Sequence, residues 1–163
     1  MLKESRVILL LSILFLTFSC KNKKNFDLQY YSNGCIKNLT LVQKEKKSIL
    51  SFDSLGNCIK ITQFVNDKLQ GEQSTFYNKK LVEKTDFLMG KENGHYYDFY
   101  SSTGAIKSHR YMVNGIEYGL GTEYYNLPNE VIKNSFYFND SGKIYLKQYY
   151  DSSGKLLREE GHR

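Results

Sequence analysis

Two series of short markers recur along this 163-residue chain at intervals of 23 to 26 residues, and no other feature constrains its fold as much. The first is a β-branched residue, usually followed by Lys. It appears as Cys35-Ile36-Lys37, Cys58-Ile59-Lys60, Ala105-Ile106-Lys107 and Val131-Ile132-Lys133, with Leu81-Val82-Glu83 as a degenerate copy. The central residues are spaced by 23, 23, 24 and 26, and Leu157 follows 25 residues later. The second series is Asn66-Asp67, Met89-Gly90, Asn114-Gly115 and Asn139-Asp140, spaced by 23, 25 and 25, with a Gly following at 71, 94 and 119. Tyr30, Phe52, Phe76, Tyr100, Tyr125 and Tyr150 precede the first marker of each unit. Two independent series with the same drift identify an array, in which each unit buries its face against its neighbours.

The length of the period selects the kind of array. It holds two strands of ordinary length and two turns. It is too short for a helix pair, and the apolar residues show no sustained 3.6 periodicity. Leucine-rich repeats have similar length, but their Leu ladder is missing here. The cleanest unit, Tyr100 to Gly119, ends a β-prone run in Asn-Gly, the strongest short-range hairpin signal. The expected fold is therefore all-β: an elongated single-layer antiparallel meander of five to six repeated hairpins. Gly34, Gly56, Gly71, Gly94, Gly104, Asn114, Gly115, Gly119, Gly142 and Gly154 are assigned to structural turns. They are spaced as turn hardware, not as a phosphate-cradling loop.

The pattern aromatic-x3-Gly-x-Ile…aromatic-x-x-Asn-Gly-x3-Gly, read at residues 100–119, resembles the MORN-repeat variant of bacterial proteins labelled YwqK-family antitoxins. The resemblance covers residues 28–158. It implies a MORN-like single-layer sheet and a protein as the partner, with an antitoxin- or immunity-like role as the narrower expectation.

The first 20 residues read as a targeting segment. Lys3 and Arg6 precede an apolar run, Val7 to Phe18, shorter than the about 20 residues that a spanning helix needs. The run ends in Leu16-Thr17-Phe18-Ser19-Cys20, which resembles the lipobox of bacterial lipoproteins. That resemblance implies cleavage before Cys20 and acylation of its thiol and new amine; two or three acyl chains make a stable anchor where one is marginal. An ordinary secretory signal with an incidental Cys is the competing reading. Asn22, in place of Asp downstream of the acylated Cys, favours sorting to an outer membrane. The division expected is a helical, cleaved signal peptide at 1–19, lipidated Cys20 with a polar tether at 20–26, the repeat domain at 27–158 and a charged tail at 159–163. The localisation expected is the cell envelope, lipid-anchored at the outer membrane and facing the periplasm or the exterior.

Successive strand residues point to opposite faces, so Tyr96-Tyr97, Phe99-Tyr100, Tyr124-Tyr125 and Tyr149-Tyr150 place aromatics on both. Cross-strand ladders account for such rings. A Tyr-rich recognition face is the sharper reading beside that favoured one, because Tyr is enriched at interfaces, and both can hold. Tyr97, Tyr100, Tyr124 and Tyr125 are the candidate interaction residues. Sugar stacking is disfavoured by the absence of Trp. The net charge of +6 comes from Lys dispersed along the chain, whereas a nucleic-acid footprint is a clustered stripe; no nucleic acid is expected.

Cys35 and Cys58 would lie two strand spacings apart in equivalent positions, about 9.6 Å. A disulfide needs Cα atoms within about 6.8 Å, so both are expected free, as small buried hydrophobes. His95, His109 and His162 are isolated in sequence, without metal-ligand spacing, and Glu92, Glu117 and Glu123 read as solvent-facing. No catalytic residue, metal or cofactor is assigned. The charged run Lys44-Glu45-Lys46-Lys47 and the charged C-terminus suit the two ends of an array, where bare edges invite aggregation. The function expected is a lipid-anchored, non-enzymatic protein–protein interaction module, monomeric and held at the membrane by its N-terminus. An envelope-structural or glycan-binding lipoprotein is the alternative.

Overall fold

A computed structural model describes residues 25–161 as strands and tight turns, with no helix among them. The strands are β1 (Asn25–Tyr30), β2 (Ile36–Gln43), β3 (Lys46–Phe52), β4 (Cys58–Val65), β5 (Lys68–Leu69), β6 (Gly71–Tyr77) and β7 (Lys80–Leu88). They continue as β8 (Lys91–Phe99), β9 (Ile106–Val113), β10 (Ile116–Glu117), β11 (Gly119–Tyr124), β12 (Ile132–Phe138), β13 (Ile144–Tyr150) and β14 (Leu156–Gly161). All 14 join one open antiparallel sheet whose order follows the chain; the two-residue strands β5 and β10 pair only with β4 and β9. Substantial contacts join only hydrogen-bonded neighbours, so the described residues form a single layer. The chain is the all-β meander that its period predicts.

The signal segment, Cys20, the lysines of the tether and His162 lie outside the described residues. The sheet itself extends further than the sequence boundaries. β1 takes in Asn25 and Phe26, assigned to the tether, and β14 takes in Glu159 to Gly161, assigned to the tail. Charge does not keep the latter out of the ladder, because Glu160 lies opposite Lys147 and Arg158 stacks over the Tyr149 ring at 4.3 Å.

Turns alternate between the two long edges of the sheet. On one edge, Asn66-Asp67, Met89-Gly90 and Asn114-Gly115 hold both central residues at positive φ, between 50° and 88°. This primed geometry matches the right-handed strand twist. Asn139 occupies the same edge but turns differently: its Oδ1 accepts the N–H groups of Ser141 and Lys143, and Gly142 takes φ 75°. Asp53 and Asp151 cap turns on the opposite edge in the same manner.

All ten positions assigned to turns have positive φ, but Gly71, Gly94 and Gly119 serve a different purpose. Each lies on a returning strand, past the turn. Between the pairs Ile61↔Ser74 and Phe64↔Leu69, two residues of β4 face four of the returning strand. The pairs His109↔Thr122 and Met112↔Glu117 enclose the same mismatch. The surplus residues form a bulge, and the glycine absorbs it. At Gly94 the crowding is also steric, since an added Cβ would stand 2.8 Å from Cβ of Asp86.

A second bulge corrects the marker alignment. A register shift precedes each of the pairs Tyr30↔Ile36, Phe52↔Cys58, Phe76↔Leu81, Phe99↔Ile106, Tyr124↔Ile132 and Tyr150↔Leu156. The structural equivalents of Ile36 are thus Cys58, Leu81 and Leu156, not Ile59, Val82 and Leu157. Likewise, Tyr100 and Tyr125 follow Phe99 and Tyr124 as Tyr31 follows Tyr30. Cys35 and Cys58 are not equivalent: Cys35 is a turn residue and Cys58 opens β4. Both are unbridged and half-buried, not the buried hydrophobes expected. With no second layer, only residues crowded from both flanks lose their solvent.

Directly paired residues draw two continuous rows across the twelve long strands. One row runs Leu28, Leu39, Leu50, Ile61, Ser74, Lys84, Tyr97, His109, Thr122, Ser135, Gln148, Glu159. The adjacent row, on the opposite face, runs Gln29, Asn38, Ser51, Lys60, Thr75, Glu83, Asp98, Ser108, Glu123, Asn134, Tyr149, Arg158. The face of the first row is called the obverse below, and that of the second the reverse. Buried residues cluster in the middle and later strands: Ser74, Thr85, Ser108, Met112, Thr122, Ser135 and Phe138. Most are small hydroxyl residues, which longer neighbours on the same face can cover.

Candidate interaction face

The reverse face is internally satisfied. Asp98 accepts the Tyr96 hydroxyl at 3.0 Å on one carboxylate oxygen and that of Ser108 at 3.0 Å on the other. Burial, reinforced by the Asp98 charge, raises the Tyr96 phenol above its ordinary range and keeps it a donor. Arg110 pairs with Glu117 at 2.6 Å, and Asn134 donates to Glu123 at 2.7 Å. Phe138 lies over Gly121, where an added Cβ would meet its ring at 2.9 Å. Glu117 and Glu123 are therefore paired, not free in solvent as their positions near turns suggest.

The obverse face is uncovered and divides into two halves. Over the first four strands it is aliphatic: Leu28, Leu39, Leu50 and Ile61 lie side by side, with Phe26 and Leu41 paired beside them. Phe26 is 68% exposed and Leu41 44%. No strand or turn of the described residues packs over these side chains.

The second half is aromatic and centres on β8 and β9. The two strands pair Tyr97 with His109 and His95 with Tyr111. Tyr97 and His109 stack at 4.5 Å between ring centroids and 14° between planes. His95 meets His109 edge to edge, with 5.1 Å between ring centroids, and meets the edge of Tyr111 at 5.2 Å, while Phe99 extends the stack from Tyr97. Nδ1 of His95 and Nε2 of His109 are 2.9 Å apart, a hydrogen bond in which one ring donates and the other accepts. Burial and the neighbouring His95 both lower the basicity of His109, which favours the neutral ring. The two histidines are thus not isolated, as their sequence separation suggests. The sign that could have revealed this is strand parity, which puts residues 95, 97, 109 and 111 on one face around the Gly104 turn. Among the described residues no group of three or more His, Cys, Asp or Glu is placed to hold a metal.

The four candidate tyrosines do not form one patch. Tyr97 belongs to the obverse stack, and the Tyr124 hydroxyl accepts from Thr122 on the same face at 3.0 Å. Tyr100 and Tyr125 turn to the edge of the sheet, where their hydroxyls donate to the carbonyls of Tyr124 and Tyr150 at 2.8 Å. Tyr31 binds the Phe52 carbonyl in the same way. These edge tyrosines staple one repeat to the next. The obverse face gains instead Tyr111, Tyr137 and Tyr150; the last two donate to Gln148 Oε1, whose amide in turn donates to Glu159.

No family model matches this chain, and no curated protein matches it. Among solved structures, two crystal structures of TarM align with it. One is a mutant of the S. aureus protein in complex with Fondaparinux, alpha-GlcNAc-glycerol and UDP, at a TM-score of 0.43 and 15% identity. The other is TarM at a TM-score of 0.42 and 15% identity. The alignments cover 66% of this chain and 23% of TarM. At these scores the likeness carries no argument about what this chain does.

Proposed function

We propose that this protein is a lipid-anchored repeat module of the cell envelope that binds a protein partner without catalysing a reaction. One observation carries the reading. The obverse face presents an aliphatic patch on β1 to β4 and an aromatic patch on β8 and β9, separated by Ser74 and the Lys84–Glu72 ion pair, while the reverse face of β8 to β12 is closed by its own ion pairs and hydrogen bonds. An uncovered apolar patch marks an interaction site, and aromatic rings that also carry hydroxyls suit a partly wet interface. The lipobox-like Cys20 would hold this face near a membrane, and the repeat pattern's likeness to YwqK-family antitoxins favours a protein as the occupant, with this chain in the antitoxin-like role.

The test uses the chain from Lys21 onward, which keeps β1 whole, as bait in envelope extract. Recovery of one protein at about equal stoichiometry, lost in a Leu39→Lys/Leu50→Lys variant that still folds, supports the reading. Retention only by cell-wall or glycan fractions overturns it in favour of an envelope-structural or glycan-binding role. The anchor is read separately: Cys20→Ala in the full precursor should abolish processing and membrane retention, and unchanged retention would remove the lipoprotein assignment.

A further inference from the structure

We propose that the hydrogen bond between His95 and His109 is a pH-sensitive latch on the aromatic half of the obverse face, closed at neutral pH and opened by acid. The opening follows from the geometry of the pair alone. Its consequence, release of the partner in acid, rests on the interaction reading above.

Nδ1 of His95 and Nε2 of His109 face each other at 2.9 Å. Such a contact holds one proton: one ring supplies N–H and the other its lone pair. Two neutral rings satisfy it, and so does a pair carrying one positive charge. A second charge sets N–H against N–H and two cations across the same gap, so the bond is lost. His109 resists that second charge, first through its burial and then through the His95 charge, and it titrates below its ordinary value of 6.5.

The surroundings do little to offset the repulsion. On β7, Lys84 lies opposite Tyr97 and is paired with Glu72 of β6. Asp86 accepts the backbone N–H of His95 at 3.0 Å, rather than a ring nitrogen. On β11, the Thr122 hydroxyl opposite His109 donates to that of Tyr124. Lys107 and Arg110, the other cations of β9, line a hollow of the reverse face with Asp98 and Glu123, and Arg110 is paired with Glu117.

The rings are also held in place. Tyr97 lies flat against His109, and Tyr111 stands edge-on to His95. When the pair becomes doubly charged, one ring has to swing away, which breaks one of these contacts. The patch then carries two charges that a covering partner would have to desolvate. Acid therefore weakens binding at this half of the face.

The test is a histidine NMR titration of the full-length chain in detergent, from about pH 8 to about pH 4.5. His95 and His109 should titrate as a coupled pair in two steps, the second below about 6.5 and accompanied by shifts of the Tyr97 and Tyr111 ring protons. His109→Gln should leave His95 with a single step. Independent single steps in the wild type overturn the latch. Stability gives a second reading. Because His109 is harder to protonate folded than unfolded, stability is full above about 6.5 and falls as pH drops below it. The wild-type Tm should thus fall further than that of His109→Gln between about pH 7.5 and pH 5, and parallel slopes overturn the proposal. Should the variant not fold, the wild-type titration decides. With a recovered partner, Kd should rise at least about tenfold over that interval in the wild type, and a Kd independent of pH would sink the release. Failure to recover any partner would sink the interaction reading, while a coupled titration would still support the latch.

Discussion

The hydroxyl of Tyr100 donates to the backbone carbonyl of Tyr124, one repeat further along the chain, at 2.8 Å. Tyr125 repeats the contact on Tyr150 and Tyr31 makes it on Phe52. In a single layer, where ladder bonds supply most of the cohesion, these staples add a side-chain link between non-adjacent strands. Tyr100→Phe removes the donor and keeps the ring, and should destabilise the fold by about 0.5–1.5 kcal/mol. Tyr77, the corresponding residue of the third unit, is 61% exposed, and Tyr77→Phe should stay within about 0.5 kcal/mol of wild type. Urea midpoints of the two variants make the comparison.

Two glycines separate backbone strain from crowding. Gly34 sits at φ 83° with open space around an added Cβ, so Gly34→Ala should cost only the left-handed penalty, about 1–2 kcal/mol. Gly94 adds to φ 120° a Cβ contact of 2.8 Å with Asp86, part of the side chain that holds the N–H of His95. Gly94→Ala should therefore destabilise clearly more than Gly34→Ala, and denaturant midpoints that rank them the other way would contradict the bulge.

Asp151 and Asp53 give the turns their response to acid. The Asp151 carboxyl is held below its ordinary value of 3.8 first by the Ser153 hydroxyl and then by the Lys155 N–H. Asp53 is lowered chiefly by the Asn57 side chain. A depressed carboxyl stabilises the fold above its unfolded value, and that contribution is lost as pH falls below about 3.8 toward the folded value. Asn139 makes the same turn with an amide. Asp151→Asn should therefore fold normally at pH 7 yet lose less stability than wild type between about pH 4 and pH 2. Thermal melts across that range measure the difference.

Protection from hydrogen exchange should be uneven along the array. Among the described residues, the buried ones occur only from Ser74 to Phe138, and β1 and β14 each pair on one side alone. The slowest amides are expected in β7 to β9 and in β11 and β12, with β1 and β14 exchanging fastest, as local opening begins at the ends of a nearest-neighbour array. Uniform protection from Asn25 to Gly161 would show that the sheet opens as one unit.

The period and the turn residues determined the fold class by themselves. About two dozen residues per unit, Asn-Gly or its like at one end and a Gly at the other, leave little besides a hairpin array, because turns needing positive φ are a local property. The positive φ at Asn114, Gly115 and Gly104 follows from residue type within a few residues of sequence. The anchor motif at Cys20 is equally local, although it lies beyond the described residues.

What the sequence alone left undecided was register. The bulge before each paired aromatic shifts every later side chain relative to its partner without leaving a mark in the period. For that reason Ile59 aligned with Ile36 by spacing while Cys58 takes its place in the sheet, and Tyr100 and Tyr125 read as face residues while they staple the edge. The aliphatic row from Leu28 to Ile61 and the pairing of His95 with His109 depend on which residues stand opposite one another across strands. Those relations join side chains up to 14 residues apart in the histidine pair and 11 in the row. Hydrogen bonding between strands fixes them, and only the assembled sheet supplies it.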